Sequence, residues 1–312
     1  MILVCGEALI DLLLDPTDGA AIPARALPGG SPFNVAVGLA RLGEAVAFFG
    51  GLSRDRFGEH LAGVLAREGV EARFAPRSDH PTPLAVVARG PDGQPAYTFH
   101  GAEAADRMVA PASLPPALPD AVRALAFGSY TLAVEPVAST YAALAAREAG
   151  RRLISVDPNL RPAVVGDLAG WRAAAERFFR VADIVKASDE DVALAFGLSP
   201  EAAARMFLAL GAALVVITRG KDGAVAYSER VSASVPGRAV AVRDTVGAGD
   251  TFHAALLARL SRGGLLTRQA LGALTQEALA DLLAYGAAAA ALTCSRAGAD
   301  LPRADEVEAL LA

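Results

Sequence analysis

Cysteine is scarce. Cys5 and Cys294 are the only two in 312 residues, too few for a disulfide framework and without the spacing of a metal-ligand set. A reducing, cytoplasmic setting is therefore expected. Clustered charge is also missing. The chain carries 29 Lys and Arg against 34 Asp and Glu, a net charge of −5, and without a basic patch no nucleic-acid partner is expected. The first seven residues lack the basic region of a signal peptide and read as a buried first strand. The longest apolar run, residues 285–294, is too short to span a bilayer, so no membrane partner is expected. No internal repeat and no low-complexity linker interrupts the chain. Two nucleotide motifs are missing as well. There is no G-x-x-x-x-G-K phosphate loop, and the first strand leads into Gly6-Glu7-Ala8 rather than G-x-G-x-x-G.

What remains is a chain with 53% hydrophobic residues, long enough to bury roughly 75% of its unfolded surface in one or two domains. Apolar patterning predicts strands at 2–5 and 45–50 and helices at 33–42 and 56–68. Residues 12–14 and 22–27 are short apolar pieces. Two β-type runs, 84–89 and 96–100, flank the hairpin signal Pro91-Asp92-Gly93. After residue 120 the pattern alternates: strands at 122–127, 153–157, 184–186 and 213–218, with helices at 135–149, 168–180 and 200–210 between them. Such alternation predicts an α/β fold, a parallel sheet with helices on both faces. A β-hairpin or meander over 224–227 and 231–235 and long helices over 249–262 and 277–293 complete the pattern. The pieces at 12–27 and 84–100 fall outside it and predict a small separate sheet, of the kind that covers a site.

The run Asp244-Thr245-Val246-Gly247-Ala248-Gly249-Asp250-Thr251-Phe252 is the most telling. Glycines let the backbone approach a ligand, and the helix that follows presents unpaired N–H groups and its positive dipole end. Together these favour an anion, above all phosphate. Asp250 is a carboxylate where an anion should sit, which suits a general base beside a phosphoryl group; a dipole-stabilising acid is the plainer alternative. Earlier, Gly29-Gly30-Ser31-Pro32-Phe33-Asn34 places a side-chain amide in a first helical turn, as sugar hydroxyls require, unless Asn34 is only a local cap. Asp11, near Glu7 and after an apolar strand, is suited to accept hydroxyl hydrogen bonds or to cap a loop.

Three further segments follow strands, where ligands of open α/β sheets bind. Asp157-Pro158-Asn159-Leu160-Arg161 carries an acid, an amide and a guanidinium fork able to hold phosphate or sugar oxygen. Lys186-Ala187-Ser188-Asp189-Glu190-Asp191 offers a phosphate-facing cation and an acid for a water-held Mg²⁺, or else an N-capped helix start. Thr218-Arg219-Gly220-Lys221-Asp222-Gly223 is a glycine-rich loop or an ordinary turn. His253, three residues after Asp250, reads as structural, and His60, His80 and His100 have no metal-site spacing.

The segments 29–43 and 244–252 together resemble the two signature segments of the ribokinase-like (PfkB) sugar kinase family, in the expected order, and the resemblance runs from Gly6 to about Pro302. Within the family the chain is most similar to bacterial fructokinases, through Gly29 to Asn34, Tyr97 to Arg107, Asp157 to Arg161 and Thr293 to Ala299. The resemblance implies a three-layer α/β/α sandwich with a mostly parallel central sheet. The α/β body would span 1–10, 29–80 and 101–312, and a small β lid 11–28 and 81–100. It implies ATP-dependent phosphorylation of a sugar primary hydroxyl, D-fructose to fructose 6-phosphate. In that reading Asp250 is the base and the amides of Gly247, Ala248 and Gly249 form the anion hole. Asp11, Gly29, Gly30, Asn34, Phe99 and Arg161 bind sugar. Lys186, Ser188, Thr218, Gly220 and Gly223, with Gly247 and Gly249, hold ATP. Asp191 holds Mg²⁺ through water, Asp244 and Thr245 hold a monovalent cation such as K⁺, and the lid invites a homodimer.

Two departures stand out. Relatives commonly carry Asn-x-x-Glu where this chain has Ser188 and Asp191, and an Asn in the late helix where it reads Tyr285-Gly286-Ala287-Ala288. A 2-keto-3-deoxygluconate kinase is the neighbouring alternative, with Arg25, Arg89 and Arg107 as candidate cations for an acid substrate. A sugar-binding regulator without catalysis is the alternative of another class; the retained Asp250 argues against it.

Overall fold

A computed structural model describes residues 1–17, 19–89 and 95–312; the turn signal at 91–93 lies outside them. In chain order, β1 (Ile2–Cys5), β2 (Leu9–Leu14) and β3 (Ala24–Gly29) precede α1 (Ser31–Arg41). Next come β4 (Val46–Phe49), β5 (Leu52–Ser53), α2 (Arg56–Arg67), β6 (Arg77–Ser78), β7 (Leu84–Arg89) and β8 (Pro95–His100). The regular alternation starts at β9 (Ala124–Gly128), with α3 (Val137–Glu148), β10 (Leu153–Asp157), α4 (Pro162–Val165), α5 (Leu168–Phe179), β11 (Ile184–Ser188), α6 (Asp189–Phe196), α7 (Pro200–Leu210) and β12 (Leu214–Thr218). The chain closes with β13 (Ala224–Tyr227), β14 (Ser232–Val235), α8 (Ala248–Arg262), α9 (Arg268–Gly272), α10 (Gln276–Cys294) and α11 (Ala304–Leu311).

Eight strands form the central sheet in the order β14-β13-β12-β11-β10-β9-β1-β4. Pairing is parallel from β4 through β12, and β13 and β14 extend it antiparallel. Successive side chains of a strand point to opposite faces, and β1 shows the result. Ile2 and Val4 pack into a core with residues of α1, α8 and α10, while Leu3 and Cys5 pack with Tyr141, Trp171 and Phe207 on the other side. Two buried cores, one on each face, account for the near-continuous apolar runs of the parallel strands and make the body a three-layer α/β/α sandwich.

The apolar run at 285–294 lies within α10, a helix of 19 residues that by length and composition alone could cross a membrane. The helix is instead packed against the protein, with Leu279, Leu282, Leu283, Ala288 and Ala289 in the core.

The smaller sheet has the order β3-β2-β7-β8. It occupies the stretches expected for the lid but begins earlier, because Leu9 and Ile10 already pair with Gly29 and Pro28. Another boundary differs for a local reason: Val122 turns back to the Pro119 carbonyl at 3.0 Å, so β9 starts at Ala124 rather than 122.

Candidate active site

The parallel strands end on one side of the sheet, and a cavity of about 650 Å³ opens there beneath the smaller sheet. Helix α8 begins at its floor. Gly247 caps that helix at φ +78°, the left-handed region that a side chain disfavours, and a Cβ there would lie 2.8 Å from the Ala299 Cβ. One turn later Asp250 projects from the first turn, 7% exposed. Three donors reach its carboxylate from two other elements. The Ser31 hydroxyl donates to Oδ1 at 2.6 Å, the Asn34 amide to Oδ2 at 2.8 Å and the Asn159 amide to Oδ1 at 3.3 Å. Asn159 sits at φ +34°, a backbone position uncommon outside glycine and asparagine, so the turn after β10 is bent to present it.

Of the expected sugar residues, Asp11, Gly30, Asn34, Phe99 and Arg161 line this cavity. Gly29 does not, but it has a steric role: a Cβ there would come within 2.2 Å of the Asp11 carboxylate. Burial, reinforced by the charge of Asp250 and opposed by Arg161, pushes the Asp11 carboxyl up to about 6. Arg161 is the only cation in the cavity wall among the described residues; Arg25 and Arg107 are outside it.

The expected nucleotide residues divide. Gly247 and Gly249 line the cavity, as do Asp244 and Thr245. Ala248 does not, and its amide turns to the Thr245 carbonyl at 3.3 Å. Lys186 is buried, its ammonium 2.8 Å from Asp157 Oδ2, yet it abuts the glycine turn: a Cβ on Gly249 would lie 3.3 Å from Nζ. Thr218 ends β12 and Gly220 and Gly223 follow it, all outside the wall of this cavity. Ser188 and Asp191 close a capping box at the start of α6. Asp191 accepts backbone amides on both oxygens, from Leu160 at 3.0 Å and from Ser188 at 3.4 Å. The acid of this loop that faces the cavity is Glu190. Asp244 is likewise engaged, taking the Val246 amide at 3.0 Å and the Gly298 amide at 2.8 Å, which ties the 244–246 turn to the loop after α10.

Behind the floor lies a buried polar group. Burial pushes the Asp157 carboxyl up even against Lys186. His253 places Nε2 2.8 Å from the Ser155 hydroxyl and Nδ1 3.8 Å from Asp157. Burial and the Lys186 charge press its pKa down to about 3, so this imidazole is neutral and structural. Sequence reasoning passed over Ser31 and Glu7 as site residues. The Gly-Gly-Ser-Pro segment was the signal for Ser31. For Glu7 it was an acid flanked by a buried strand.

A floor of glycine turn and carboxylate, with amides and a guanidinium around one cavity at the strand ends, defines a phosphoryl-transfer site on a small polar substrate. The chain belongs to the pfkB family of carbohydrate kinases, whose model matches residues 1–306, and it is a sugar kinase. It is 42% identical over 281 residues to a fructokinase of Rhizobium leguminosarum bv. trifolii, covering 89% of this chain and 85% of that one. Among solved structures, a fructokinase from Xylella fastidiosa with bound ATP superposes with a TM-score of 0.88 at 27% identity, covering 99% and 97% of the two chains. A double mutant of the Vibrio cholerae O395 fructokinase, in a form binding fructose, ADP and potassium ion, gives 0.85 at 29% identity over 100% and 98%.

Proposed function

We propose that this protein transfers the γ-phosphoryl group of ATP to the primary hydroxyl of a sugar, D-fructose to fructose 6-phosphate. The observation that carries the reading is Asp250, a buried carboxylate on the first turn of α8, held by Ser31 and Asn34 at 2.6 and 2.8 Å inside the cavity that Asp11, Asn34 and Arg161 line. Asp11 and Asn34 orient the sugar, Phe99 packs against it, and the attacking hydroxyl faces Asp250, which takes its proton. The first-turn amides of α8 at Gly247 and Gly249, which line the cavity, stabilise the charge on the transferred group once Ala248 releases or shares its bond to Thr245, and Lys186 beneath Gly249 adds a fixed positive charge. Work of this kind is positioning plus electrostatics, and one pre-aimed donor is typically worth about 3 kcal/mol.

No cluster of three or more His, Cys, Asp or Glu able to hold a metal exists among the described residues. This fits Mg²⁺, which is held chiefly by substrate phosphates and waters with one or two carboxylates; Glu190 and, through water, Asp191 are the acids of that loop. When bound, Mg²⁺ supplies neutralisation of phosphate charge. A monovalent cation such as K⁺ belongs at the loop pair that Asp244 ties together, beside Thr245. Thr218, Gly220 and Gly223, with Ser188, line the nucleotide beyond β12. The smaller sheet of β3, β2, β7 and β8 acts as a lid that excludes water. Its exposed Ile22, Leu27 and Tyr97 suit a homodimer contact. The free thiols of Cys5 and Cys294 support a cytoplasmic location.

The test is ADP release, coupled to a reporter enzyme, over fructose, ribose, 2-keto-3-deoxygluconate and adenosine. Fructose is expected to give the highest kcat/KM. Activity confined to ribose or adenosine would overturn the assignment, and a preference for the keto acid would move it to the neighbouring kinase.

A further inference from the structure

Glu7 lies two residues past the end of β1, 1% exposed, and phosphoryl transfer as described above gives it no part. Its Oε1 accepts the Ser31 amide at 3.2 Å. Ser31 is the first residue of α1, and the capping residue Gly30 offers that helix no side chain. Glu7 is thus the cap that α1 obtains from elsewhere in the fold. The contact is close. Gly30 sits at φ +101°, and a Cβ there would meet the Glu7 carbonyl oxygen at 2.9 Å and its Cγ at 3.2 Å. The same Ser31 donates its hydroxyl to Asp250 at 2.6 Å. One carboxyl therefore fixes, through a single residue, the donor that aims the other.

We propose that Glu7 is a positioning residue for phosphoryl transfer, acting as a neutral carboxylic acid that holds Ser31 in place for Asp250. The proposal rests on Asp250 being the base. Three observations favour the neutral form. Among the described residues Oε2 is buried with no partner in good hydrogen-bond geometry, which suits a protonated oxygen better than an ionised one. The groups facing Glu7 include one buried acid, Asp106, whose Oδ2 is bonded by the Tyr130 hydroxyl at 2.7 Å and whose Oδ1 is also without a partner. The Ser129 hydroxyl and, more weakly, Arg161 favour the ionised form of Glu7 instead, and Arg107 stacks over the Tyr130 ring. Burial first, with Asp106 adding to it, carries the Glu7 carboxyl up to about 8 against Ser129 and Arg161. An ionised Glu7 would add a buried negative charge beside Asp250 and Asp11, where a polyanionic phosphate donor must bind.

The experiment is the pH dependence of kcat and of sugar KM for wild type, Glu7→Gln, Glu7→Ala and Ser31→Ala, each checked by thermal melting. Wild-type kcat is expected to fall through an alkaline limb near the Glu7 pKa, and Glu7→Gln to keep kcat at neutral pH within about threefold while losing that limb. Glu7→Ala and Ser31→Ala are expected to lose kcat by about 10- to 100-fold, as misplaced catalytic groups do, with KM little changed. If Glu7→Ala does not fold, the Gln and Ser31 variants decide alone. An alkaline limb retained in Glu7→Gln, or full turnover in Ser31→Ala, would overturn the proposal. Asp250→Asn separates the two readings: if it is inactive while the Glu7 and Ser31 variants match wild type, only the role of Glu7 fails.

Discussion

Asn34 and Asp250 stand 216 residues apart in sequence and 2.8 Å apart in space. The first-turn amide of α1 and the first-turn carboxylate of α8 meet because both helices start at the wall of the same cavity. In the proposed mechanism sugar orientation and proton acceptance therefore share one hydrogen bond, and a change on either helix is expected to disturb both.

Gly29 controls the place of Asp11, the other carboxylate proposed to meet the sugar. Gly29→Ala places a methyl group against Asp11, whose oxygen lies 2.2 Å from the Cβ position, so Asp11 must move. Steady-state kinetics should show sugar KM raised by about tenfold or more, the loss of a hydrogen bond to a charged group, with ATP KM little affected. An unchanged sugar KM would remove Asp11 from the sugar site.

The Lys186–Asp157 pair should be harder to break than to replace. Its side chains are 4% and 2% exposed, and removing one partner of such a pair leaves a buried charge, a loss of roughly 3–5 kcal/mol. Lys186→Met should lower Tm strongly, and Lys186→Met with Asp157→Leu should recover much of that loss. Urea or thermal denaturation measures both. Neither variant is expected to turn over normally, because Lys186 lies under the phosphate turn.

His253 sets an acid limit on stability. Its folded pKa of about 3 lies below its ordinary value of 6.5. The unfolded chain therefore binds a proton that the folded chain refuses, and stability present above pH 6.5 is lost as pH falls toward 3. Melting temperatures of wild type and His253→Gln between pH 4 and 7 should converge at the acid end, the variant being flatter. Parallel curves would show that another group sets the acid limit.

Much of this was legible in the sequence, for local reasons. β10, α7 and β13 fall at the expected bounds because apolar runs end there at Pro, Gly or an acid. Asp250, Gly247 and Asn34 stood out because glycine turns ahead of helices carry their own chemistry. Ser31 and Asn159 could not be read as partners of Asp250, since their contacts span 219 and 91 residues. Glu7 offered only an acid beside a buried strand, and the packing of Gly30 over it is what makes it a cap. Asp191 shows the opposite case. The same residues spelled a metal acid or a capped helix start, and both carboxylate oxygens go to backbone amides.

The central claim is that Asp250 removes the proton of the sugar hydroxyl. Its most direct test is Asp250→Asn, with turnover by ADP release and sugar binding by calorimetry on the same preparation. Turnover should fall by about 10²–10⁴-fold, the usual contribution of a positioned base, while fructose still binds within a few-fold of wild type. Near-normal turnover with intact binding would contradict the account.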